Sequence, residues 1–210
     1  MIEQTITAAA PSLASFSCDP VTLARAAKFL SGKVVERGNT EPILGAVMIE
    51  ASPAGTVTLS ATDADMLARV TVAQDVRVDE PGLFCVDAKA FADAVGKLGK
   101  AAKGRLVSLS QLDGKRVAVS QGDGRYVLPT LSADGFPTLD LQQAADALPL
   151  SRFAVPGAQF LSDLAALSPC MSKDESRYYL NGIFFHVSDD EMKAAATDGH
   201  RLARFTLPRP

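Results

Sequence analysis

The sequence has 210 residues, of which 47% are hydrophobic and 21% charged, and its formal net charge is −3. This composition excludes a disordered chain and predicts one or two domains with sizeable cores. The slightly acidic balance gives no overall signature of nucleic-acid binding, although it is compatible with local basic faces. No stretch approaches the roughly 18 apolar residues of a membrane span. Cys18, Cys85 and Cys170 are scattered singly, which predicts reduced thiols in a cytoplasmic protein and no metal centre.

Three helices are predicted, each entered from a short strand. The pattern Phe-x-Cys/Val followed five residues later by Leu or Phe occurs at residues 16–23, 84–91 and 153–160. Alternating apolar residues are typical of a strand, and Asp19, Asp87 and Pro156 then supply helix-start signals. The apolar spacing that follows predicts helices over residues 20–34, 88–98 and 157–167.

Short strands separated by turn signals fill the rest of the chain. The first two helices are each followed by three strands, and close hairpins of this kind indicate antiparallel sheets and an α+β fold. The repeating unit is therefore a strand, a helix and three strands. The predicted strands cover residues 43–50, 56–61, 66–72, 106–110, 116–120, 126–131, 178–187, 192–196 and 202–207.

Counting these units predicts the domain organisation. Residues 1–14 form a disordered extension, residues 15–138 hold two units in a first domain, and residues 139–150 form a linker. The third unit, residues 151–210, has no fourth unit to pair with. Because an unpaired half-domain exposes a sheet edge and apolar surface, we expect the chain to be part of something longer or to be completed by another chain.

One nine-residue frame is repeated at a distance of 135 residues. Residues 61–69 and 196–204 share Ala-Thr-Asp-x-x-x-Leu-Ala-Arg. A frame kept over such a distance argues for a duplicated fold element, so the shared residues are interpreted as structural. The second copy adds Gly199, His200 and Arg201. An ordinary surface turn is one interpretation of this addition, and a hydrolase site using Asp198 and His200 is another, although no nucleophile motif accompanies it.

Several motifs in this order resemble one family. They are Asn39-Thr40-Glu41-Pro42-Ile43-Leu44, Gly124-Arg125-Tyr126-Val127-Leu128 with Phe136-Pro137, Arg177-Tyr178-Tyr179-Leu180-Asn181-Gly182, and residues 196–203. Together they resemble the bacterial DNA polymerase III beta subunit, the sliding clamp, over nearly the whole chain. The resemblance implies six repeats in three domains, closed head-to-tail into a dimer ring with sheets outside and helices inside. The chain would hold the first domain and half of the second.

The resemblance also implies three surfaces, no cofactor and no catalytic activity. A groove that binds peptide motifs of the polymerase alpha subunit, clamp loader and repair polymerases would use Leu180, Thr197, Gly199, His200, Arg201 and Leu202. Duplex DNA would be contacted without sequence specificity by Arg25, Lys28, Lys33, Arg37, Lys89, Lys97, Lys173, Arg177, Tyr178 and Tyr179. The subunit interface of the homodimer would include Arg125, Tyr126 and Leu128.

Two departures from the family pattern occur beside the first motif. Gly38 stands where the family commonly has Arg, so Arg37 replaces that contact or the contact is absent, and Glu41 replaces an apolar residue. An alternative hypothesis is a shortened clamp-like module that binds peptides without encircling DNA.

Overall fold

A computed structural model describes residues 13–35, 41–101, 104–137, 155–188 and 191–208. The chain divides into two compact units, Met1–Asp140 and Leu141–Pro210. The predicted linker over residues 139–150, most of the predicted extension and Arg37 lie outside the described residues. Among the described helices, none has the length and apolar character needed to span a bilayer.

The first unit contains two helices and nine strands in its described residues. A short 3-10 helix, Pro42–Gly45, follows the first helix. The other elements are β1 Ser15–Cys18, α1 Pro20–Lys33, β2 Ala46–Ala51, β3 Val57–Thr62, β4 Leu67–Val72, β5 Arg77–Glu80, β6 Gly82–Asp87, α2 Ala88–Ala101, β7 Val107–Asp113, β8 Arg116–Gln121 and β9 Gly124–Leu131.

The strands form one antiparallel sheet in which the two repeats exchange their first strands. The order is β4-β3-β2-β6-β9-β8-β7-β1-β5. Strand β1 of the first repeat pairs with β7 of the second, whereas β6 of the second repeat pairs with β2 of the first. Each repeat therefore completes the sheet of the other, and the predicted α+β unit is confirmed as part of an interlocked pair.

Both helices begin where the Asp signals predict. The Asp19 side chain accepts a hydrogen bond from Thr22 N at 2.7 Å, and Asp87 Oδ1 accepts one from Ala90 N at 2.7 Å. Each bond satisfies a backbone donor that the first helical turn leaves unpaired. The second helix ends three residues beyond its predicted end.

The helices and the sheet enclose one large apolar core. Its fully buried side chains include Phe16 and Phe84 from the strands and Leu23 and Phe91 from the helices. Cys18 and Cys85 are also buried, and desolvation raises the pKa of each thiol to about 12. Such thiols stay protonated at neutral pH and are poor nucleophiles.

The second unit contains α3 Gly157–Leu167, as predicted, followed by a three-stranded antiparallel sheet. Its described strands are β10 Phe184–Val187, β11 Glu191–Thr197 and β12 Leu202–Pro208. Between them and α3 lie two short 3-10 helices, Ser168–Cys170 and Glu175–Leu180.

The prediction of a strand over residues 178–187 is wrong at its start. Residues Glu175–Leu180 form a 3-10 helix because the Asp174 carboxylate gathers the chain into a turn. It accepts hydrogen bonds from Ser176 N, from Ser176 Oγ and from Arg177 Nε. These side chain to backbone bonds compete with extended structure, so the strand begins only at Phe184.

Three smaller predictions also need correction. The strand predicted from Ile43 begins at Ala46, because Pro42 opens a 3-10 turn before it. Strand β5 was not predicted, since Arg77–Glu80 has a single apolar residue and is ordered through pairing with β1. Ala14 was assigned to the disordered extension but is buried, and its N–H donates to Gln111 Oε1 at 2.9 Å.

Candidate binding site on the repeated turn

The repeated frame forms the same hairpin turn in both units. In the first, the turn joins β3 to β4, with Thr62 opposite Leu67. In the second, it joins β11 to β12, with Thr197 opposite Leu202. The Thr and the Leu of the frame therefore close the ladder on either side of the turn.

The shared Thr and Asp make the same hydrogen bonds in the two turns. The Thr hydroxyl accepts from the N–H two residues later at 3.1 Å, from Ala64 in one turn and Gly199 in the other. Asp63 Oδ1 accepts from the backbone N–H groups two and three residues later at 3.1 and 2.7 Å. Asp198 Oδ1 does the same at 3.0 and 2.9 Å. The interpretation of Thr and Asp as structural residues agrees with this geometry.

The third residue of each turn has a positive φ. Ala64 has φ 79° and Gly199 has φ 90°. This left-handed region is strained for alanine and open to glycine, so the second turn adopts its shape without the strain of the first. A Cβ on Gly199 would also lie 3.2 Å from Arg177 Nη1, which means that the glycine lets a guanidinium approach the backbone.

Arg201 adds two bonds that the first turn lacks. Its Nε donates to Asp198 Oδ2 at 2.8 Å, and its carbonyl oxygen accepts from Thr197 Oγ1 at 2.7 Å. The backbone N–H groups of His200 and Arg201, and to a smaller extent the Arg201 guanidinium, hold the pKa of Asp198 well below its usual range. A carboxylate kept ionised and occupied by turn donors is badly suited to share a proton with His200, which argues against the hydrolase hypothesis.

A shallow depression of about 100 Å³ lies beside the second turn. It brings together three of the predicted groove residues, Leu180, Thr197 and Leu202. Gly199, His200 and Arg201 do not line it; they are exposed on the adjoining turn. The depression therefore has an apolar floor, with donor groups in the turn that follows Thr197. The lining residues are Tyr179, Leu180, Gly182, Phe184, Ala195, Ala196, Thr197 and Leu202.

Sequence reasoning missed Phe184 and the small residues Ala195 and Ala196 as lining residues. The alternation of apolar residues along β10 was the available signal for Phe184, but the strand was predicted to start too early. Tyr179, which was predicted to contact DNA, also lines the depression. Arg177 was also predicted to contact DNA. In the structure its Nε donates a hydrogen bond to Asp174 Oδ2 at 2.9 Å.

The described residues of the first unit that were predicted to contact DNA lie on its two helices. Arg25, Lys28, Lys33 and Lys89 all line one open cleft of about 1080 Å³, and Lys97 is exposed but lies outside the cleft lining. Asp87 and Asp93 also line the cleft, which makes its charge mixed. Of the other residues predicted to contact DNA, Lys173, Tyr178 and Tyr179 are exposed in the second unit, and the two tyrosine rings meet edge to face with centroids 5.8 Å apart.

Strand β9 carries the three residues predicted for a subunit interface. Arg125 and Tyr126 are exposed, whereas Leu128 is partly buried and packs against the main core. Beyond its pairing with β8, β9 meets β6 only at Thr130 and Leu131. The earlier part of β9 therefore has one ladder edge without a strand partner among the described residues.

Within the described part of the chain, no group of three or more His, Cys, Asp and Glu side chains is placed to hold a metal ion. The interlocked repeats, the exposed turn and its apolar depression define the class: a repeat-built α+β protein whose candidate site is a binding surface.

Comparisons with known proteins identify the family. Residues 15–140 match the N-terminal domain of the DNA polymerase III beta subunit, and residues 154–209 match its central domain. The chain is 36% identical over 171 residues to the beta sliding clamp of Escherichia coli K12, covering 80% of this chain and 43% of that protein. It is 35% identical over 182 residues to that of Caulobacter vibrioides NA1000, covering 84% and 46%.

Solved structures agree with this match. A Caulobacter crescentus beta sliding clamp with polyethylene glycol bound to its putative beta-motif tethering region has a TM-score of 0.79, 33% identity and coverage of 96% of this chain and 52% of that one. The clamp of Bartonella birtlesii bound to griselimycin has a TM-score of 0.76 and 30% identity, and the match covers 94% and 50%. The chain belongs to the bacterial DNA polymerase III beta subunit family, and it spans about half the length of the relatives it matches.

Proposed function

We propose that this chain is part of a DNA sliding clamp, a non-catalytic processivity factor that encircles duplex DNA as a head-to-tail dimer. In that ring the sheets face outward and the helices face the duplex. The observation that carries the proposal is the second copy of the turn. It repeats the hydrogen bonds of the first copy, and it adds a glycine, a histidine and an arginine beside an apolar depression.

The proposed binding groove has two parts. Leu180, Thr197 and Leu202 supply the floor on which an apolar side chain of a partner peptide packs. His200 and Arg201 stand exposed on the turn, where they can donate hydrogen bonds to the peptide's polar groups. Gly199 leaves the backbone open to close approach. The proposed ligands are peptide motifs of the polymerase alpha subunit, the clamp loader and repair polymerases.

The proposed DNA contact is electrostatic. Arg25, Lys28, Lys33 and Lys89 gather at one cleft, and Lys97 is exposed on the same helix as Lys89. Lysine and arginine side chains bind phosphates without reading the sequence, which suits a protein that slides. The exposed Lys173, Tyr178 and Tyr179 are proposed as further DNA contacts in the second unit, with Arg177 and Arg37 as additional candidates.

The proposed organisation follows from the repeat count. The first clamp domain would occupy residues 15–138, a linker residues 139–150, and half of the second domain residues 151–210. The free part of β9, with Arg125, Tyr126 and Leu128, would meet the other subunit of a cytoplasmic homodimer. Unpaired strand edges of this kind are suited to strand addition.

Binding of peptides tiled across the polymerase III alpha subunit tests the groove. A peptide that binds the chain should lose affinity by about fivefold or more on His200→Ala or Arg201→Ala, because each removes a donor worth about 1 kcal/mol. The matched control is Asp65→Ala, at the position of His200 in the first copy of the turn. Asp65→Ala keeps the backbone N–H of residue 65, which donates a hydrogen bond to Asp63 Oδ1, and it should leave peptide binding unchanged.

Unfolding by urea distinguishes a binding role from a structural one. His200 and Arg201 are exposed, so their substitutions should change the free energy of unfolding by no more than about 1 kcal/mol. A loss comparable to a core truncation, or equal loss of peptide affinity in Asp65→Ala, would contradict the assignment of these residues to a groove.

A further inference from the structure

Phe29 on α1 is an exposed aromatic side chain among basic residues. It is 49% exposed, whereas the other phenylalanines described in the first unit are at most 5% exposed; these are Phe16, Phe84, Phe91 and Phe136. Phe29 lines the open cleft of about 1080 Å³, which we call the Phe29 cleft, together with the basic side chains of Arg25, Lys28, Lys33 and Lys89. A phenylalanine ring is therefore open to solvent beside four positive charges.

The spacing along α1 places these groups on one face of the helix. Arg25, Phe29 and Lys33 follow one another at intervals of four residues, and Lys28 lies beside Phe29. Because residues four apart are neighbours on a helix surface, a positive charge stands one turn to either side of the ring. The core side of the helix is filled by other residues, Leu23, Ala27 and Leu30. Core packing therefore does not explain the position of Phe29.

Two glycines leave open space in the Phe29 cleft. Gly32 lies three residues after Phe29 on the same face of α1, and Gly45 ends the 3-10 helix Pro42–Gly45; both line the cleft. A Cβ on either glycine would meet no other atom within 4 Å. An exposed ring with open space beside it leaves room for a second planar ring to stack on it.

The basic side chains around the ring are available to an anionic ligand. Among the residues that the structure describes, none of the four forms an ion pair. Glu41, Asp87 and Asp93 also line the cleft, but none of these acidic residues lies on α1. Asp87 in addition accepts a hydrogen bond from Ala90 N at 2.7 Å at the start of α2. The positive charge is therefore concentrated along α1, on both sides of Phe29.

A single strand of nucleic acid is the ligand that matches both the charges and the ring. Its phosphates bind lysine and arginine side chains, and its unpaired bases stack on aromatic side chains. Within a duplex each base is covered by its neighbours in the stack, so only an unpaired base can reach Phe29. Contact with duplex DNA would use the charges of the cleft and leave the ring without a partner. The combination therefore favours single-stranded DNA.

We propose that the Phe29 cleft binds single-stranded DNA, with one unpaired base stacked on Phe29 and the flanking phosphates held by Arg25 and Lys33. Lys28 and Lys89 supply further contacts to the phosphates of the same strand. The proposal rests on the DNA contact proposed above for these basic residues, and it adds a binding mode that a fully paired duplex does not offer. A clamp with such a site would be held preferentially where a duplex meets a single strand.

Fluorescence anisotropy at low salt tests the proposal with three labelled probes: oligothymidine roughly 12 nucleotides long, an abasic strand of the same length and a duplex. Phe29→Ala should weaken the binding of oligothymidine by about fivefold or more, because the stacking of a base is lost, and should leave the binding of the abasic strand unchanged. Gly32→Leu should also weaken oligothymidine binding, since it fills the space beside the ring. The matched control is Gly96→Leu, because a Cβ on Gly96 also meets nothing within 4 Å but Gly96 does not line the cleft.

Tryptophan fluorescence gives a second readout, which reports on stacking directly. The chain contains no tryptophan, so Phe29→Trp introduces a single reporter into the cleft. Oligothymidine should quench its emission, and the abasic strand should not, because stacking requires a base. The matched control is Val21→Trp, since Val21 lies on the same helix, is 66% exposed and does not line the cleft. Neither strand should quench the emission of Val21→Trp.

Three results would overturn the proposal. They are no binding of oligothymidine, equal loss of oligothymidine and abasic-strand binding in Phe29→Ala, and a loss of oligothymidine binding in Tyr178→Ala but not in Phe29→Ala, which would place the strand on the second unit. Circular dichroism checks that the variants are folded, and quenching in Phe29→Trp decides the matter if Phe29→Ala is not.

The duplex separates this proposal from the proposed DNA contact on which it rests. Duplex binding without oligothymidine binding would contradict the single-strand site alone. If neither the duplex nor the abasic strand binds at low salt, the electrostatic contact proposed for Arg25, Lys28, Lys33 and Lys89 fails as well.

Discussion

Thr197 and Asp198 hold the backbone of the second turn, and so the three residues after them can vary without loss of the turn. The same division is visible in the first turn, where Thr62 and Asp63 make the equivalent bonds around a different sequence. A catalytic interpretation of Asp198 fails on this point, because its carboxylate is already committed to backbone donors and to Arg201.

Gly199→Ala and Ala64→Gly, which substitute the positive-φ residues of the two turns, should change the free energy of unfolding in opposite directions. Gly199→Ala should lower the free energy of unfolding by about 1 kcal/mol or more, because alanine is strained at positive φ and its Cβ would crowd the Arg177 guanidinium. Ala64→Gly should raise it by up to about 1 kcal/mol, since relief of strain exceeds the added chain entropy. Urea unfolding measures both. Changes of equal sign would contradict the equivalence of the two turns.

The sequence alone predicted which residues of the turn are structural, because the two copies of the frame share those residues and differ at the others. It did not predict the pairing of Arg177 with Asp174 or the contact of Leu128 with the core. The first is a local contact across three residues of the 3-10 turn, and the second depends on how separate stretches meet in space. The spacing of apolar residues predicts which face of an element a side chain lies on, but it does not predict which neighbour covers that face.

At the scale of elements, the starts of all three helices were predictable because each begins at a local chemical signal. Asp19 and Asp87 cap their helices through their own side chains, and α3 starts after Pro156. The strands were predictable to within a few residues where apolar residues alternate. The start of β10 was wrong because Asp174 draws the preceding residues into a 3-10 helix.

Strand β9 leads to a prediction about the longer protein. Tyr126→Asp in a form that spans the length of its relatives should shift a dimer toward monomer, because it places a charge on the exposed edge proposed as the subunit interface. Sedimentation velocity measures the shift. Leu128→Asp should have the same effect but should also lower stability, since Leu128 packs against the core. An unchanged sedimentation mass for Tyr126→Asp would exclude this edge as the interface.

At the scale of the whole molecule, the exchange of first strands explains why the repeats come in pairs. In the first unit, β1 and β6 each lie in the half of the sheet built by the other repeat, so neither repeat closes its own sheet. The repeat period was readable from the sequence, but the exchange was not, because apolar alternation identifies a strand without identifying its partner.

The proposed ring predicts a topological link to DNA, which is what distinguishes a sliding clamp from a peptide-binding module. The most direct measurement loads the protein, at the full length of its relatives and with a clamp loader, onto nicked circular DNA and then linearises the DNA. We expect retention on circles at a salt concentration that removes simple electrostatic binding, and rapid loss from the ends once the circle is cut. Equal retention on circular and linear DNA, or no retention on either, would contradict it.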